Sequence, residues 1–357
     1  MKNRILLVAL ALLLPAMSLV AVGCPPPEPV DPVVRPPPVE VIEWRMQTLW
    51  DAGTLFYDIF VDFTARVYEL SGGRLRITPF PPGGIVPTFE KFDALRLGVF
   101  DAMQTFETYW AGIEPAMVPL SSVPLGFTDR YQYEAWFWEG GGVELAREIY
   151  ARFNIYYIGP VIYGPEFQHM RAGHPVRTFE DYRGKSMRFP GGIQADIMSA
   201  AGVSVVVLPG GEVYPALAKG LLDGADFASL AVNYDLGWHE ITKWIIKPGF
   251  HQPTTNTGIS ANMDSWKALP PDLQAILEAA VREFSEEKFA RNLVAQGEAL
   301  ERMLAAGNEV IVLPEAEIEK FRAVAQPLWE KWAAKSPMAR RVWDSYLDFM
   351  RHLGLLE

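Results

Sequence analysis

Apolar and polar residues alternate along Glu43–Trp50 (EWRMQTLW), the period of a half-buried strand. From Thr54 to Leu70 the apolar positions shift to helical spacing, and Ser71-Gly72-Gly73 ends the run. RLRITPF (74–80) predicts a second strand. Thr88 is placed to cap a helix over 89–98, and FDAMQTF (100–106) predicts a third strand. The rhythm restarts downstream. FNIYYIGPVIY (153–163) and EFQHMRA (166–172) read as strands, and Thr178 opens a short helix. KSMRF (185–189), VSVVVL (203–208) and DGADFA (223–228) then alternate with helices over 193–201 and 211–221. Pro270-Pro271 precede a long helical stretch, Asp272–Ala306; Glu309–Leu313 is a short strand, and 314–334 and 337–353 close the chain as helices. Such alternation predicts an α/β fold with mostly parallel sheets and helices on their faces. Two sets in one chain predict two lobes, and no sequence identity between the halves marks them as a tandem repeat.

The first residues break this pattern. Lys2 and Arg4 form a basic head, Ile5–Val22 is apolar, and Ala21-Val22-Gly23 lead into Cys24. Small residues directly before the cysteine predict an export signal over 1–23; the competing reading is a membrane anchor helix, for which the run is at the lower length limit. The segment resembles a bacterial lipobox, with Ala21 where leucine is usual. The resemblance implies that Cys24 is lipidated and becomes the first mature residue. Residues 24–41 hold eight of the 29 prolines, so they form neither helix nor central strand and read as a semi-rigid spacer. The body is then extracytoplasmic and tied to the membrane by its lipid alone.

Composition narrows the classes. Half of the 357 residues are hydrophobic and 21% are charged, which excludes a disordered chain. Acidic residues outnumber basic ones, 43 to 32, so a sequence-blind hold on nucleic acid is excluded. One cysteine permits neither an internal disulfide nor a cysteine zinc cluster, and the five histidines lack the two-His helical spacing of a zincin. Neither GxGxxG nor a P-loop is present.

Ligands of open α/β sheets gather at the carboxyl ends of strands, and clefts between lobes are favoured sites. Arg188 ends KSMRF and precedes Pro190-Gly191-Gly192; its guanidinium fits a carboxylate with two parallel hydrogen bonds, or pairs with any nearby aspartate on the surface. Asp226 ends DGADF and is either a ligand or a cap of the helix that follows. Gln168 and Gln252 are ordinary polar residues by themselves. Tyr109 and Trp50 line either a cleft or the core. His251 beside Gln252 suggests acid–base work, but no paired nucleophile is evident.

The run GKSMRFPGGIQADIMSAAGVSVVVLPGGEVYPALAKGLLDGADF resembles the ligand-binding lobe of solute receptors of TRAP transporters, the tripartite ATP-independent periplasmic carriers. SGGRLRITPFPPGGIVPTFEKFDALRLGVFDAM resembles the same family's first lobe, and the resemblance runs from about Trp44 to at least Asn262. TLWDAG, ETYWAG, MRFPGG and KPGFHQP are most similar to the branch that binds 2-oxo and 2-hydroxy monocarboxylates, such as pyruvate or lactate, with a metal ion. The resemblance implies a two-lobe, Venus-flytrap architecture with a long interlobe helix. Its lobes comprise 42–163 with about 254–275, and 164–253 with about 307–335; 276–306 form the connecting helix and 336–357 a C-terminal helix.

It also implies roles. Arg188 clamps the substrate carboxylate, with Gln168, Tyr109 and Trp50 beside it. Asp226, the Phe227 carbonyl, Gln252 and Gln168 bind the metal, and catalytic residues are not expected. Asp226 stands where much of the branch has glutamate, and Phe227 replaces tryptophan; the shorter carboxylate shifts the metal. All these ligands are oxygens, which suits calcium or sodium and not zinc or copper. The implied partners are a small organic acid and the TRAP membrane subunits. Related receptors can also dimerise through C-terminal helices, and 337–353 offers Trp343, Tyr346, Leu347, Phe349 and Met350 for this or for packing on its own body. Against this stand a sugar receptor of an ATP-driven importer and a hydrolase using Asp226 and His251. The arginine clamp argues for an acid over a sugar, and no compact nucleophile–base signature supports the hydrolase.

Overall fold

The computed structural model describes residues 41–356. The export signal, Cys24 and the proline-rich spacer therefore lie outside the described residues. Among the described residues no helix is long and apolar enough to cross a membrane.

The chain starts in the strand Ile42–Gln47, whose alternation is the one read from sequence: Trp44 and Met46 are buried, Glu43 and Arg45 are exposed. Thr54 caps the next helix, Leu55–Leu70, by accepting from the Tyr57 amide, and Phe56, Ile59, Phe60, Phe63, Thr64 and Val67 form its buried stripe. The five-stranded sheet runs in the order Leu75–Phe80, Ile42–Gln47, Ala102–Gln104, Ile259–Asn262, Ile155–Gly159. The six-stranded sheet runs Glu309–Val312, Trp244–Lys247, Gln168–Met170, Gly224–Ala225, Ser186–Arg188, Ser204–Val206. Each sheet is the centre of one lobe.

The sheets are mixed, which corrects the mostly parallel expectation. Ile259–Asn262 pairs antiparallel with both of its neighbours, and Gln168–Met170 does the same in the other sheet. The reason is the path of the chain. It leaves the first sheet after Gly159, builds most of the second, and comes back at Ile259 from the opposite end. Where the two crossings meet, Ile162–Tyr163 and Thr255–Asn256 form an antiparallel ribbon.

The helix Pro271–Ala305 joins the lobes. Leu273, Leu277, Ala280, Val281 and Phe284 pack into the core around the first sheet, while Ala299 and Met303 pack with Phe167 and Ile245 of the second. Midway, Ser285 accepts a hydrogen bond from the Ile162 amide in the crossing ribbon (3.0 Å). The helix Glu315–Ala333 then covers the second lobe beside Gly192–Ala200, and Pro337–His352 packs on the first. The apolar face considered for dimerisation is taken by the chain itself. Trp343 and Tyr346 are buried, and the Tyr346 hydroxyl accepts from the Phe127 amide at 3.2 Å.

One further expectation fails locally, and some elements went unread. Thr88 does not cap a helix; it lies inside a short 3-10 turn, Thr88–Glu90, that leads into Lys91–Arg96. The helices Arg130–Glu139 and Gly142–Ala151 and the strand Trp244–Lys247 were not read from the sequence.

Candidate functional site

Ser186–Arg188 and Gly224–Ala225 are parallel neighbours, so Arg188 and Asp226 emerge side by side at their carboxyl ends. The backbone ties them together: the Asp226 amide donates to the Arg188 carbonyl (3.1 Å), and the guanidinium donates back to the Asp226 carbonyl. Arg188 Nε donates to the Leu208 carbonyl at 3.1 Å, and a terminal nitrogen reaches the Tyr109 hydroxyl at 3.4 Å. Tyr109 follows a strand of the other lobe, so this last contact spans the cleft. The Phe227 ring lies 5.4 Å from the guanidinium carbon, and Arg188 is only 1% exposed. A guanidinium so deeply buried needs anionic partners. Asp226 Oδ2 is 3.9 Å from it, an ion-pair distance too long for a hydrogen bond.

Asp226 is oriented by a relay. Its Oδ1 accepts from His251 Nε2 (2.8 Å), His251 Nδ1 meets the Gln168 amide nitrogen (3.1 Å), and Gln168 Oε1 accepts from the Tyr182 hydroxyl (2.6 Å). Gln168 as donor makes Nδ1 the bare nitrogen and leaves the proton on Nε2, facing Asp226. Gln168 is thus brought to the site but stands behind it, with both ends of its amide engaged.

Glu166 is the residue that sequence reasoning missed. It is 2% exposed, its Oε1 accepts from the Tyr163 hydroxyl, and its Oε2 has no partner. Its carboxyl is held well above the usual range, first by burial and then by the charge of Asp226, with Tyr163 and Arg188 opposing. A signal was present: Glu166 is the only acidic residue between Ile155 and Met170, an otherwise apolar run. Lys288, on the long helix, is fully buried, with its Nζ 3.1 Å from Thr257 Oγ1 and 4.5 Å from the Trp50 ring centre. Burial holds its amine well below the usual lysine range. That helix carries charges all round, so nothing in the sequence marks this lysine.

Leu49, Trp50, Phe106 and Tyr109 from the first lobe, and Glu166, Arg188, Pro190, Phe227 and Gln252 from the second side, line a cavity of only about 10 Å³. That is less than a site for a drug-sized ligand needs. The side chains close on one another here, with space for about one water, so a small acid enters only if they part. Among the described residues a wider groove of about 450 Å³, walled by Phe167, Phe250, Ile318 and Met350, carries none of the predicted residues.

The donor set also fits a hard cation. Asp226 Oδ2, Glu166 Oε2 and Gln252 Oε1 are all buried oxygens without a hydrogen-bond partner, and unpaired buried acceptors cost free energy unless something fills the role.

The family described as DctP, bacterial extracellular solute-binding protein, family 7, matches residues 46–336, which hold the second sheet, the long helix and the first sheet apart from the start of its Ile42–Gln47 strand. The chain belongs to this family. It is a TRAP solute receptor. Among curated relatives, it is 29% identical over 312 residues to a monocarboxylate 2-oxoacid-binding periplasmic protein of Nostoc, covering 87% of this chain and 85% of that protein. Among solved structures, a TRAP transporter solute-binding protein of Bordetella bronchiseptica superposes with a TM-score of 0.82 at 28% identity, covering 88% and 93% of the two chains. It is a mixed-occupancy dimer with copurified calcium and picolinate at its active site. A receptor of Rhodobacter sphaeroides, solved as an apo open structure, is 33% identical and superposes at 0.67, covering 88% and 99%.

The His251–Asp226 pair looks like the start of a hydrolytic triad, yet its outer nitrogen is on the Gln168 amide and not on a hydroxyl.

Proposed function

We propose that this receptor captures a small 2-oxo or 2-hydroxy monocarboxylate, such as pyruvate or lactate, together with a calcium ion, and delivers it to TRAP membrane subunits. One observation carries the reading: Arg188, 1% exposed, stands beside buried oxygens of Asp226 and Gln252 that have no partner. A guanidinium with acidic and amide oxygens at one cavity matches a carboxylate and a hard cation bound together.

Arg188 holds the carboxylate, Tyr109 closes over it from the opposite lobe, and Trp50 and Phe227 shape the walls. The Asp226 carboxylate, the Phe227 carbonyl and Gln252 hold the cation. Gln168 acts through His251 to aim Asp226. The binding properties of the Nostoc and Bordetella relatives support the choice of a 2-oxo acid and of calcium. Cys24 anchors the receptor by lipid to the outer face of the cell membrane, with residues 24–41 as its spacer. The first lobe is assigned 42–163 with about 254–275, and the second 164–253 with about 307–335.

Calorimetric titration with lactate and pyruvate, with and without calcium, tests the proposal. The expected result is tight binding of the acid only when calcium is present, and loss of calcium binding in Asp226→Asn with the melting temperature kept. Asp226 lies just past the two-residue strand Gly224–Ala225, and asparagine keeps its shape and can still meet His251. An Asp226→Asn receptor that binds calcium as tightly as the parent would overturn the assignment.

A further inference from the structure

We propose that Glu107 is a positioning residue of the binding site: its buried carboxyl braces the turn that carries Tyr109 against the strand returning from the second lobe. The inference rests on the proposed function, in which Tyr109 closes over the bound acid. Neither the resemblance nor the relatives assign Glu107 a role.

The Tyr109 hydroxyl reaches Arg188 across the cleft at 3.4 Å, so its placement decides how the closed site meets the acid. The turn that carries it, Glu107–Trp110, is a single 3-10 turn. Its own backbone bonds are few: the Tyr109 amide donates to the Phe106 carbonyl (3.1 Å) and the Ala111 amide to the Thr108 carbonyl (3.0 Å). A 3-10 piece this short has poor hydrogen-bond geometry and does not fix its own position. Side chains outside the turn must do so.

Glu107 is fully buried, and both of its carboxyl oxygens are engaged. Oε1 accepts from the Gly258 amide (3.0 Å) and from Asn256 Nδ2 (3.3 Å). Oε2 accepts from the Ser121 hydroxyl (3.2 Å), and Ser121 Oγ accepts in turn from the Thr108 amide (2.7 Å). The circuit therefore closes on the residue just before Tyr109. Asn256 extends it: its Nδ2 also donates to the Leu120 carbonyl (2.7 Å), and its Oδ1 accepts from the Val161 amide (2.7 Å). One carboxyl thus joins the turn under Tyr109, the helix end at Leu120–Ser121, and the crossing where the chain comes back from the second lobe.

Two close approaches leave this brace no slack. A Cβ on Gly258 would fall 2.2 Å from Glu107 Oε1, so only glycine lets its amide come so near. On the other side of the turn, a Cβ on Gly192 of the second lobe would fall 2.5 Å from Thr108 Cγ2. The turn is pressed against the loop that follows Arg188, and a shift of its backbone shifts the Tyr109 hydroxyl relative to the guanidinium.

The competing account makes Glu107 a stabiliser of the first lobe with no bearing on Tyr109. Two substitutions separate them. The partners of Glu107 are all neutral donors, and burial holds its carboxyl well above the usual range, with these donors opposing. Glutamine therefore copies it closely, whereas leucine keeps the bulk and removes every acceptor. Lactate affinity in the presence of calcium is measured by calorimetry, with melting temperature beside it, on the parent, Glu107→Gln, Glu107→Leu, Tyr109→Ala and the double variant Glu107→Leu/Tyr109→Ala. The expected result is a loss of about tenfold or more in Glu107→Leu, and of less than about threefold in Glu107→Gln. In the Tyr109→Ala background the further loss from Glu107→Leu should shrink to about threefold or less, because no hydroxyl remains to misplace. An equal loss with and without Tyr109, or a lower melting temperature at unchanged affinity, overturns the positioning role and leaves the proposed function standing. Affinity lost as fully in Glu107→Gln as in Glu107→Leu also overturns it, since the acceptor is then present and the site still fails. A parent that binds no lactate overturns the proposed function and this role with it. Should Glu107→Leu not fold, Ser121→Ala takes its place in the same cycle, cutting the link to the Thr108 amide while sparing the bonds of Oε1, and the same comparison with Tyr109→Ala decides.

Discussion

Arg188 uses three of its five N–H groups inside the protein, on the Leu208 carbonyl, the Asp226 carbonyl and the Tyr109 hydroxyl. One hydrogen remains on each terminal nitrogen, which is the pair a carboxylate needs for two parallel bonds. Lysine in its place offers a point charge without the fork and also leaves the two carbonyls short of a donor. Truncating one side of a buried charge pair costs on the order of 2–5 kcal/mol, and a lysine that keeps the charge belongs at the low end. Arg188→Lys is expected to weaken lactate and pyruvate binding tenfold or more at an unchanged fold, read by calorimetry at matched melting temperatures. Equal affinities would remove Arg188 from the site. Gly210 makes a second test at this scale. A Cβ there would fall 2.0 Å from the Phe227 ring, so Gly210→Ala must push that ring toward the cavity and is expected to cost affinity for the acid more than melting temperature. The side-by-side placement of Arg188 and Asp226 was legible because they end predicted strands. Tyr163 and Lys288 were not, and His251 was read for acid–base work instead of as a relay, because the relay and the ring cage join residues from 50 to 288 that no sequence spacing connects.

At the scale of elements, what was legible followed the strength of the periodic signal. Leu55–Leu70 was clear from its one-sided apolar stripe and its Thr54 cap, and Pro270-Pro271 marked the start of the long helix. Arg130–Glu139 has aromatic residues on several faces, so no stripe stands out, and Trp244–Lys247 is four residues long. The antiparallel pairs were invisible because they depend on which end of the sheet the returning chain enters. One short element carries a prediction of its own. Lys91, in Lys91–Arg96, is fully buried, with only the Gln104 carbonyl as acceptor at 2.9 Å, and burial pushes its amine down to about 7. Its folded pKa lies below the unfolded value, so the unfolded chain binds more protons between about 7 and 10.5, and stability rises with pH across that window. Lys91→Met removes the cost of burying the charge and leaves one carbonyl unpaired, at about 1–3 kcal/mol. Thermal melts should show the variant gaining on the parent most below pH 7, with the gain shrinking toward pH 10.5. A difference independent of pH would show that Lys91 keeps its ordinary pKa in the folded protein.

At the scale of the molecule, the lobes are joined by the ribbon of Ile162–Tyr163 with Thr255–Asn256 and by the long helix. The site lies against these connections: Tyr163 and Thr257 border the cavity, and Lys288 reaches it from the helix. Of the contacts across the cleft, Tyr109 to Arg188 is long at 3.4 Å and is the kind that separates when the lobes part. Ligand shifts the balance toward closure only through interactions it makes in the closed form and loses in the open one. A carboxylate on Arg188 under Tyr109, with a cation between Asp226 and Gln252, makes such interactions with both lobes, so bound acid should draw the lobes together by hinge motion about the ribbon. Small-angle scattering of the body, residues 41–357, is expected to give a smaller radius of gyration with lactate and calcium than without them. Tyr109→Phe should bind more weakly yet still close, because the hydroxyl contributes one bond while the aromatic ring keeps the apolar contact. An unchanged scattering profile at saturating lactate and calcium would mean that the lobes are already shut before the acid arrives. The acid would then have to enter through local motion of Trp50, Tyr109 and Phe227, and the hinge would play no part in capture.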